Sequence, residues 1–398
     1  FGIEAQSSFL NISTLNSAND LGVTNARMGV RIKWRELQPV AGGPIQWALL
    51  ANVNQELRLL KAADIQPALV ITDSPLWALR VIEDDMGICD FGSGPEPCSI
   101  DETGDGKGDG KSYCGQIATE YFDDFAVFMS HLVTYYSTPE FGVKIWELGN
   151  EVDVDPNLVP GDSGYGCWGN LFDKLYYDGD YYGQMLKVVT PAIKAADPEA
   201  QVWIGGLLLS KPDEVPSKFL AGILQVGAAP YFDAVPYHWY AWYDPNDATP
   251  GVKLDYDLLD PAWDNLGGGA YGKAAYLANI LKTYGVTKPL IMNEVALGCN
   301  NSWAPGNCPV DVNGYPILSD GFLQAQADFI PRAAMRAMKG SVQKAYWFML
   351  EENGWGWVGL LDIYRQPKPV YYAYRNLVAQ YQHGTFQGQL FSYGTGIE

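Results

Sequence analysis

The stretch "KIWELGNEVDVDP" (residues 144–156) starts as an apolar strand and ends in an amide beside a carboxylate, Asn150-Glu151, with Asp153 and Asp155 close behind. It has an echo in "KPLIMNE" (288–294), another apolar run that stops at Asn293-Glu294. Working outward, eight β-rich apolar runs can be marked: 2–6, 25–32, 66–72, 143–150, 201–209, 232–240, 288–294 and 344–350. Helical spacing of apolar residues fills the gaps at 52–64, 116–136, 181–199, 216–227, 271–285, 322–340 and 370–381. Strand–helix alternation repeated about eight times predicts an α/β fold, a (β/α)8 TIM barrel with long βα loops. A doubly wound sheet would carry a GxGxxG directly after its first strand. The glycine run NLGGGAYG (265–272) instead follows a loop and reads as a turn. Residues 1–382 are expected to form the barrel, with an inserted Asp/Gly-rich loop at 89–115 and a strand-like tail at 383–398. The tail would start a β-rich appendage or pack against the barrel.

In such barrels the chemistry sits where strands end. By two-residue alternation Arg27, Gly29 and Arg31 share one face of the second strand, and Met28, Val30 and Ile32 face the helices. The third strand runs into Asp73 and Trp77, the sixth ends in His238-Trp239-Tyr240, and the eighth contains Trp347. Two glutamates, an arginine, a histidine and several aromatics would therefore meet on one rim. Asp153 and Asp155 are expected to lie in a solvated loop, and Glu351 and Glu352 to be bystanders just past the eighth strand.

The net charge of −20 repels polyphosphates and anionic membrane surfaces, which argues against a nucleic-acid partner or binding to such a surface; membrane insertion is not expected either. No apolar run reaches membrane length. Thirteen Trp and 25 Tyr exceed what a core needs and suit the stacking of sugar faces. Six cysteines in an acidic chain, without zinc spacing, point to disulfides and export, with any leader already removed before Phe1. Short loops favour Cys299 with Cys308 and Cys89 with Cys98, which leaves Cys114 with Cys167. Oligomeric state is not legible in the chain.

Two strand-end glutamates are what glycosidic cleavage needs: one protonated to donate to the leaving oxygen, one ionised to attack the anomeric carbon or activate water. "WELGNE" (146–151) at the fourth strand with "LIMNE" (290–294) at the seventh resembles the clan A glycoside hydrolases. The resemblance implies a retaining mechanism with Glu151 as acid/base and Glu294 as nucleophile. It also implies substrate-binding roles for Arg27, Asn150, His238 and Tyr240, and for Trp347 as the floor under the scissile sugar. Arg31 is the weaker candidate for the arginine. Trp77, Trp239, Trp242, Trp355 and Trp357 are subsite candidates. The usual Asn-Glu-Pro is here Asn150-Glu151-Val152. The expected partner is a polysaccharide or oligosaccharide, of the plant-type β-glycan class on aromatic content. The competing functions are a non-catalytic carbohydrate-binding barrel and a metal-dependent barrel hydrolase.

"DETGDGKGDGKS" (101–112) fits most of a twelve-residue calcium loop. Asp101, Thr103, Asp105, Lys107 (through its carbonyl) and Asp109 take the ligand positions, and Gly106 takes the sharp turn. Ser112 replaces the final bidentate Glu. Structural Ca2+ is therefore expected, with no cofactor for catalysis.

Overall fold

Eight parallel strands form the ring that the alternation predicts, each followed by a helix. The computed structural model describes residues 1–5, 9–29, 31–80, 116–154, 165, 166, 168–170, 172–244, 254–299, 308 and 317–388. The strands are β1 (Gly2–Ala5), β2 (Asn25–Met28), β3 (Gln66–Thr72), β4 (Ile145–Asn150), β5 (Gln201–Gly206), β6 (Val235–Trp242), β7 (Leu290–Gly298) and β8 (Val342–Phe348). Their order is β5-β4-β3-β2-β1-β8-β7-β6, all paired parallel. Parallel bridges Trp203–Ala234 and Leu207–Tyr237 join the two ends of that path into a barrel. A two-residue strand, Ile32–Lys33, adds beside β3.

The principal helices are α1 (Ile12–Leu21), α2 (Ala51–Ala62), α3 (Phe122–Tyr136), α4 (Gly179–Ala196), α5 (Phe219–Gln225), α6 (Gly269–Thr283), α7 (Asp320–Lys339) and α8 (Pro369–Tyr381). The periodicity misses α1, because "ISTLNSANDL" is largely polar and buries only Thr14, Leu15, Ala18 and Leu21. Its ends are nevertheless specified. The Asn11 side chain accepts from Ser13 N, and Gly22 takes the left-handed conformation (φ 71°) that closes the helix. In α3, Phe122, Phe125, Phe128, Met129, Leu132 and Val133 form the buried face expected from their spacing. Each such side chain contributes about 1.5–3 kcal/mol by leaving water.

Alternation along the strands splits the core in two. One set (Ile3, Ala26, Met28, Leu69, Ile71, Trp146, Leu148, Val202, Ile204, Met292, Trp347) packs outward in the large cluster shared with the helices. The other set (Ala68, Ile145, Trp203, Ala234, Ile291, Tyr346) plugs the barrel from inside. Two residues further along β4 and β7 the interior turns from apolar to charged, and there the site begins.

The expected insertion 89–115 lies outside the described residues, and with it the calcium ligands Asp101, Thr103, Asp105, Lys107 and Asp109. Cys89, Cys98, Cys114 and Cys167 lie outside as well, whereas Cys299 and Cys308 are bonded to each other. Of the tail, 383–388 carry no strand and 389–398 lie outside the described residues. Among the described residues, no helix is long and apolar enough to cross a membrane.

Candidate active site

Arg27 is the organising group. It is fully buried in β2, and all of its guanidinium nitrogens have acceptors. Nε and Nη2 donate to the two oxygens of Glu147 (2.8 and 2.9 Å), a bidentate pair. Nη1 donates to Glu4 Oε2 (2.6 Å) and to Glu294 Oε1, and Nη2 also donates to Asn150 Oδ1 (2.5 Å). Because arginine only donates, Asn150 must turn its carbonyl oxygen to it, which leaves the amide NH2 as the donor for another group. Three carboxylates around one cation leave an excess of negative charge in a dry site, and the response is protonation. Burial, against the pull of Arg27 and with the push of Glu294, raises Glu4 to about 7. Arg31, the alternative arginine, lies beyond the end of β2, where its positive charge acts on Glu4, Asp73 and Glu151.

Glu294 reaches this cluster through an irregularity in β7. Simple alternation would send Asn293 and Glu294 to opposite faces. The register shifts between Met292 and Val295 against β8, and between Tyr237 and His238 on β6 against β7. Both residues consequently bond inside the barrel: Asn293 Nδ2 donates to Glu147 Oε1 (2.9 Å) and Glu294 accepts from Arg27. The second Glu294 oxygen accepts from the Tyr240 hydroxyl. Burial, reinforced by the charges of Glu294 and Glu151, pushes the Tyr240 phenol well above its usual pKa, so it remains a donor.

His238 links Glu151, just past the end of β4, with Glu294, in the middle of β7. Its Nδ1 lies 2.9 Å from Glu151 Oε1 and 3.3 Å from Glu294 Oε2. Two carboxylates facing one ring nitrogen require that nitrogen to carry a proton. Burial pulls the His238 pKa down, but Glu294 and Glu151 outweigh it and the net shift is upward. The converse holds for Glu151: burial raises it, and the bond and charge of His238 bring it below its usual value. Oxygens of Glu151 and Glu294 and a nitrogen of His238 all lie within 4.8 Å of one another. That set has the spacing to hold a cation, as has Asp173, Asp178 and Asp180. The first set already has Arg27 on Glu294, and the second has Arg80 on Asp178 (2.8 Å).

Glu151 itself sits just past β4 in a left-handed backbone conformation (φ 47°), which a non-glycine residue adopts only when its surroundings impose it. The turn is closed by Val154 N donating to Glu151 O (2.9 Å). Aromatic rings wall the Glu294 side. Tyr240 lies 5.7 Å from Phe348 and 5.0 Å from Trp355, and Trp242 is 5.7 Å from Trp355. Trp355 is 41% exposed, so its face is available to a ligand. Beside Asn150 a cavity of about 40 Å³ is lined by Trp34, Asp73 and Trp168 among others.

Several expectations from the sequence are corrected by the structure. Trp347 does not floor the site. It is fully buried, faces Phe329 of α7 and donates Nε1–H to Val358 O (2.9 Å), because alternation turns it outward and turns Phe348 inward. Trp77 is not among these corrections: half-buried, it packs edge-on against Trp34, which lines the cavity beside Asn150, and against Tyr121, and it donates to Gln38 O (3.3 Å). Trp239 is a core residue next to Lys273. Asp153 is not solvated but 2% exposed, whereas Asp155 lies outside the described residues. Glu351 and Glu352 are indeed engaged elsewhere, with Arg365 and Lys368. The residues that sequence reasoning misses are Glu4, Glu147 and Lys273. For the first two a signal is present: a lone acid inside an otherwise apolar strand.

No family model and no curated protein matches this chain. Solved structures do. The chain is similar to a family 39 glycoside hydrolase from the gut symbiont Bacteroides cellulosilyticus WH2, at 17% identity and TM-score 0.62 over 98% of this chain and 65% of that one. It is similar to a monomeric β-xylosidase from Caulobacter crescentus CB15 at 19% identity and TM-score 0.57, covering 95% of this chain and 67% of that one. An exo-β-1,4-mannosidase from Opitutaceae bacterium strain TAV5 aligns at 13% identity and TM-score 0.53, covering 95% of this chain and 58% of that one. The chain thus spans about two thirds or less of these proteins. At such identities the likeness establishes the (β/α)8 fold.

Proposed function

We propose that the chain is a retaining glycoside hydrolase of clan A that cleaves β-linked glycans or their oligosaccharides. The observation that carries this reading is the placement of Glu151 and Glu294. They stand at β4 and β7 with oxygens within 4.8 Å of each other, bridged by His238 Nδ1. Retaining enzymes hold their carboxyl groups about 5–5.5 Å apart, whereas inverting ones leave about 6.5–9.5 Å for a water. The neighbours in fold, described as glycoside hydrolases, a xylosidase and a mannosidase, support the same class.

In this reading Glu294 attacks the anomeric carbon while Glu151 delivers its proton to the departing oxygen. A glycosyl ester forms on Glu294 and the glycosidic bond breaks. Glu151, now ionised, takes a proton from water, which attacks the same carbon and frees Glu294. Arg27 and Tyr240 hold the Glu294 carboxylate and aim it. Asn150 offers its NH2 to a hydroxyl next to the reacting carbon, a bond that strengthens as positive charge develops there. Glu151 must carry a proton to act as acid, whereas in the free site the bond and charge of His238 lower its pKa. A sugar oxygen that replaces His238 as the partner of Glu151 removes that pull and favours the protonated acid, while Nδ1–H stays on Glu294. The Trp355 and Trp242 faces suit stacking of a neighbouring sugar. The Cys299–Cys308 disulfide supports an extracellular setting.

Hydrolysis of a panel of aryl β-glycosides and plant β-glycans, with the product anomer followed by NMR, tests the reading. Retention is expected. Glu294→Ala should lower turnover by about 10⁴-fold or more, with partial rescue by azide or formate on activated substrates. Binding of glycans without turnover on any substrate would make the barrel a lectin-like module instead.

A further inference from the structure

Asp153 lies two residues beyond Glu151 and is buried, yet no step of the reaction uses it. Its carboxylate accepts from the backbone N–H of both Leu208 (2.7 Å) and Leu209 (2.8 Å), in the loop that leaves β5. From the other side Lys273 of α6, also buried, donates to Leu208 O (2.6 Å) and to His238 O (2.9 Å). The Leu208–Leu209 segment is therefore gripped by an anion at its amides and a cation at its carbonyl. Through it, the turn bearing Glu151 is tied to the strand bearing His238. The turn and the loop that Asp153 joins each hold a residue in the left-handed region. Glu151 has φ 47° and Leu209 has φ 50°, and a branched residue such as leucine rarely adopts that region without external restraint. Within the turn Val154 N donates to Glu151 O, and the turn is also held from α4's side by the Tyr177 hydroxyl on Val154 O (3.1 Å), but among the described residues only Asp153 ties it to the segment that Lys273 joins to His238.

We propose that Asp153 is a positioning residue for the general acid: with Lys273 it locks the left-handed turn that presents Glu151 to His238 and to the leaving oxygen. The inference rests on the acid/base reading of Glu151. The burial that makes Asp153 costly is consistent with it, since desolvation raises its pKa to about 6 despite the two backbone donors, and Lys273 is pulled down by desolvation to about 8. Each side chain satisfies two backbone groups that an apolar replacement would leave unpaired. Asparagine at 153 presents one oxygen and one NH2 to two N–H donors, so one of the two bonds is lost and one donor faces another donor.

The test is the leaving-group dependence of kcat/KM for aryl glycosides in Asp153→Asn, with Glu151→Ala on the same series. A displaced acid hurts only substrates that need protonation. We expect Asp153→Asn to slow poor leaving groups by about 10-fold or more while activated ones change by less than about 3-fold, a weaker copy of the Glu151→Ala pattern. Lys273→Met, which retains the length of the chain without the charge, should tilt the series in the same direction. An equal loss across all leaving groups in Asp153→Asn, or no loss, overturns the inference. If Glu151→Ala itself shows no leaving-group dependence, the acid assignment fails first and the inference falls with it. Should Asp153→Asn not fold, the Lys273→Met series decides by the same criterion.

Discussion

At the scale of single residues, the site divides one cation among too many anions. Arg27 serves Glu147 through two bonds, and Glu4 and Glu294 share its Nη1. Glu4 is the surplus carboxylate, and burial lifts it from 4.5 to about 7. A raised carboxylate pKa means that the folded chain holds a proton the unfolded chain has released. Between those two values stability therefore falls as pH rises, by at most about 1.4 kcal/mol per unit of pH. Glu4→Gln keeps the shape and an oxygen for Arg27 but cannot ionise. Relative to the parent, its unfolding free energy should improve as pH climbs through the window from 4.5 to about 7 and level off above it. Urea titrations at several pH values measure this directly. A stability difference independent of pH would show that Glu4 is ionised throughout.

At the scale of elements, the strand ends decide what can reach the substrate. The sequence identifies β4, β7 and their two glutamates, because apolar runs of strand length reach Asn-Glu in both, although β7 runs on four residues past Glu294 to Gly298 instead of stopping there. It does not reveal the register shifts that turn Asn293 and Glu294 inward together, since a bulge depends on the partner strands and leaves no periodic trace. Trp347 is misplaced by the sequence for a related reason: one residue of error in strand phase exchanges inside and outside, and Phe348 takes the inward place. The glycine that ends β5 shows how tightly these elements close on the site. A Cβ on Gly206 would fall 2.3 Å from His238 Nε2 and 3.1 Å from Asn293 Nδ2. His238 would have to move away from one of its carboxylates. Gly206→Ala is thus expected to cost at least about 10-fold in kcat/KM with the far-ultraviolet circular dichroism unchanged. Wild-type kinetics in that variant would show that the imidazole has room to spare.

At the scale of the whole molecule, the fold is legible because eight-fold alternation is a long-range regularity that survives local errors. The first helix escapes the periodicity and the barrel is still counted correctly, since its strand pattern does not depend on any one crossover. A second whole-chain property is the charge of −20, which makes every added cation site more favourable. The segment 101–112 concentrates part of that charge, with Asp101, Asp105 and Asp109 at alternating ligand positions and Gly106 at the turn. A structural ion there would bind the folded chain far better than the unfolded one. Calcium at about 100 times its dissociation constant would then add about 2.7 kcal/mol, a rise of a few degrees in melting temperature. The proposed double displacement runs on carboxyl groups alone, so stability and rate should separate. Scanning calorimetry in calcium and in a chelator is expected to show the lower melting point in the chelator, while initial rates well below that melting point stay equal. Asp105→Asn should abolish most of the calcium-dependent shift. Loss of rate in parallel with loss of calcium at low temperature would instead tie the ion to the chemistry, and an unchanged melting point would show that the loop holds no structural metal.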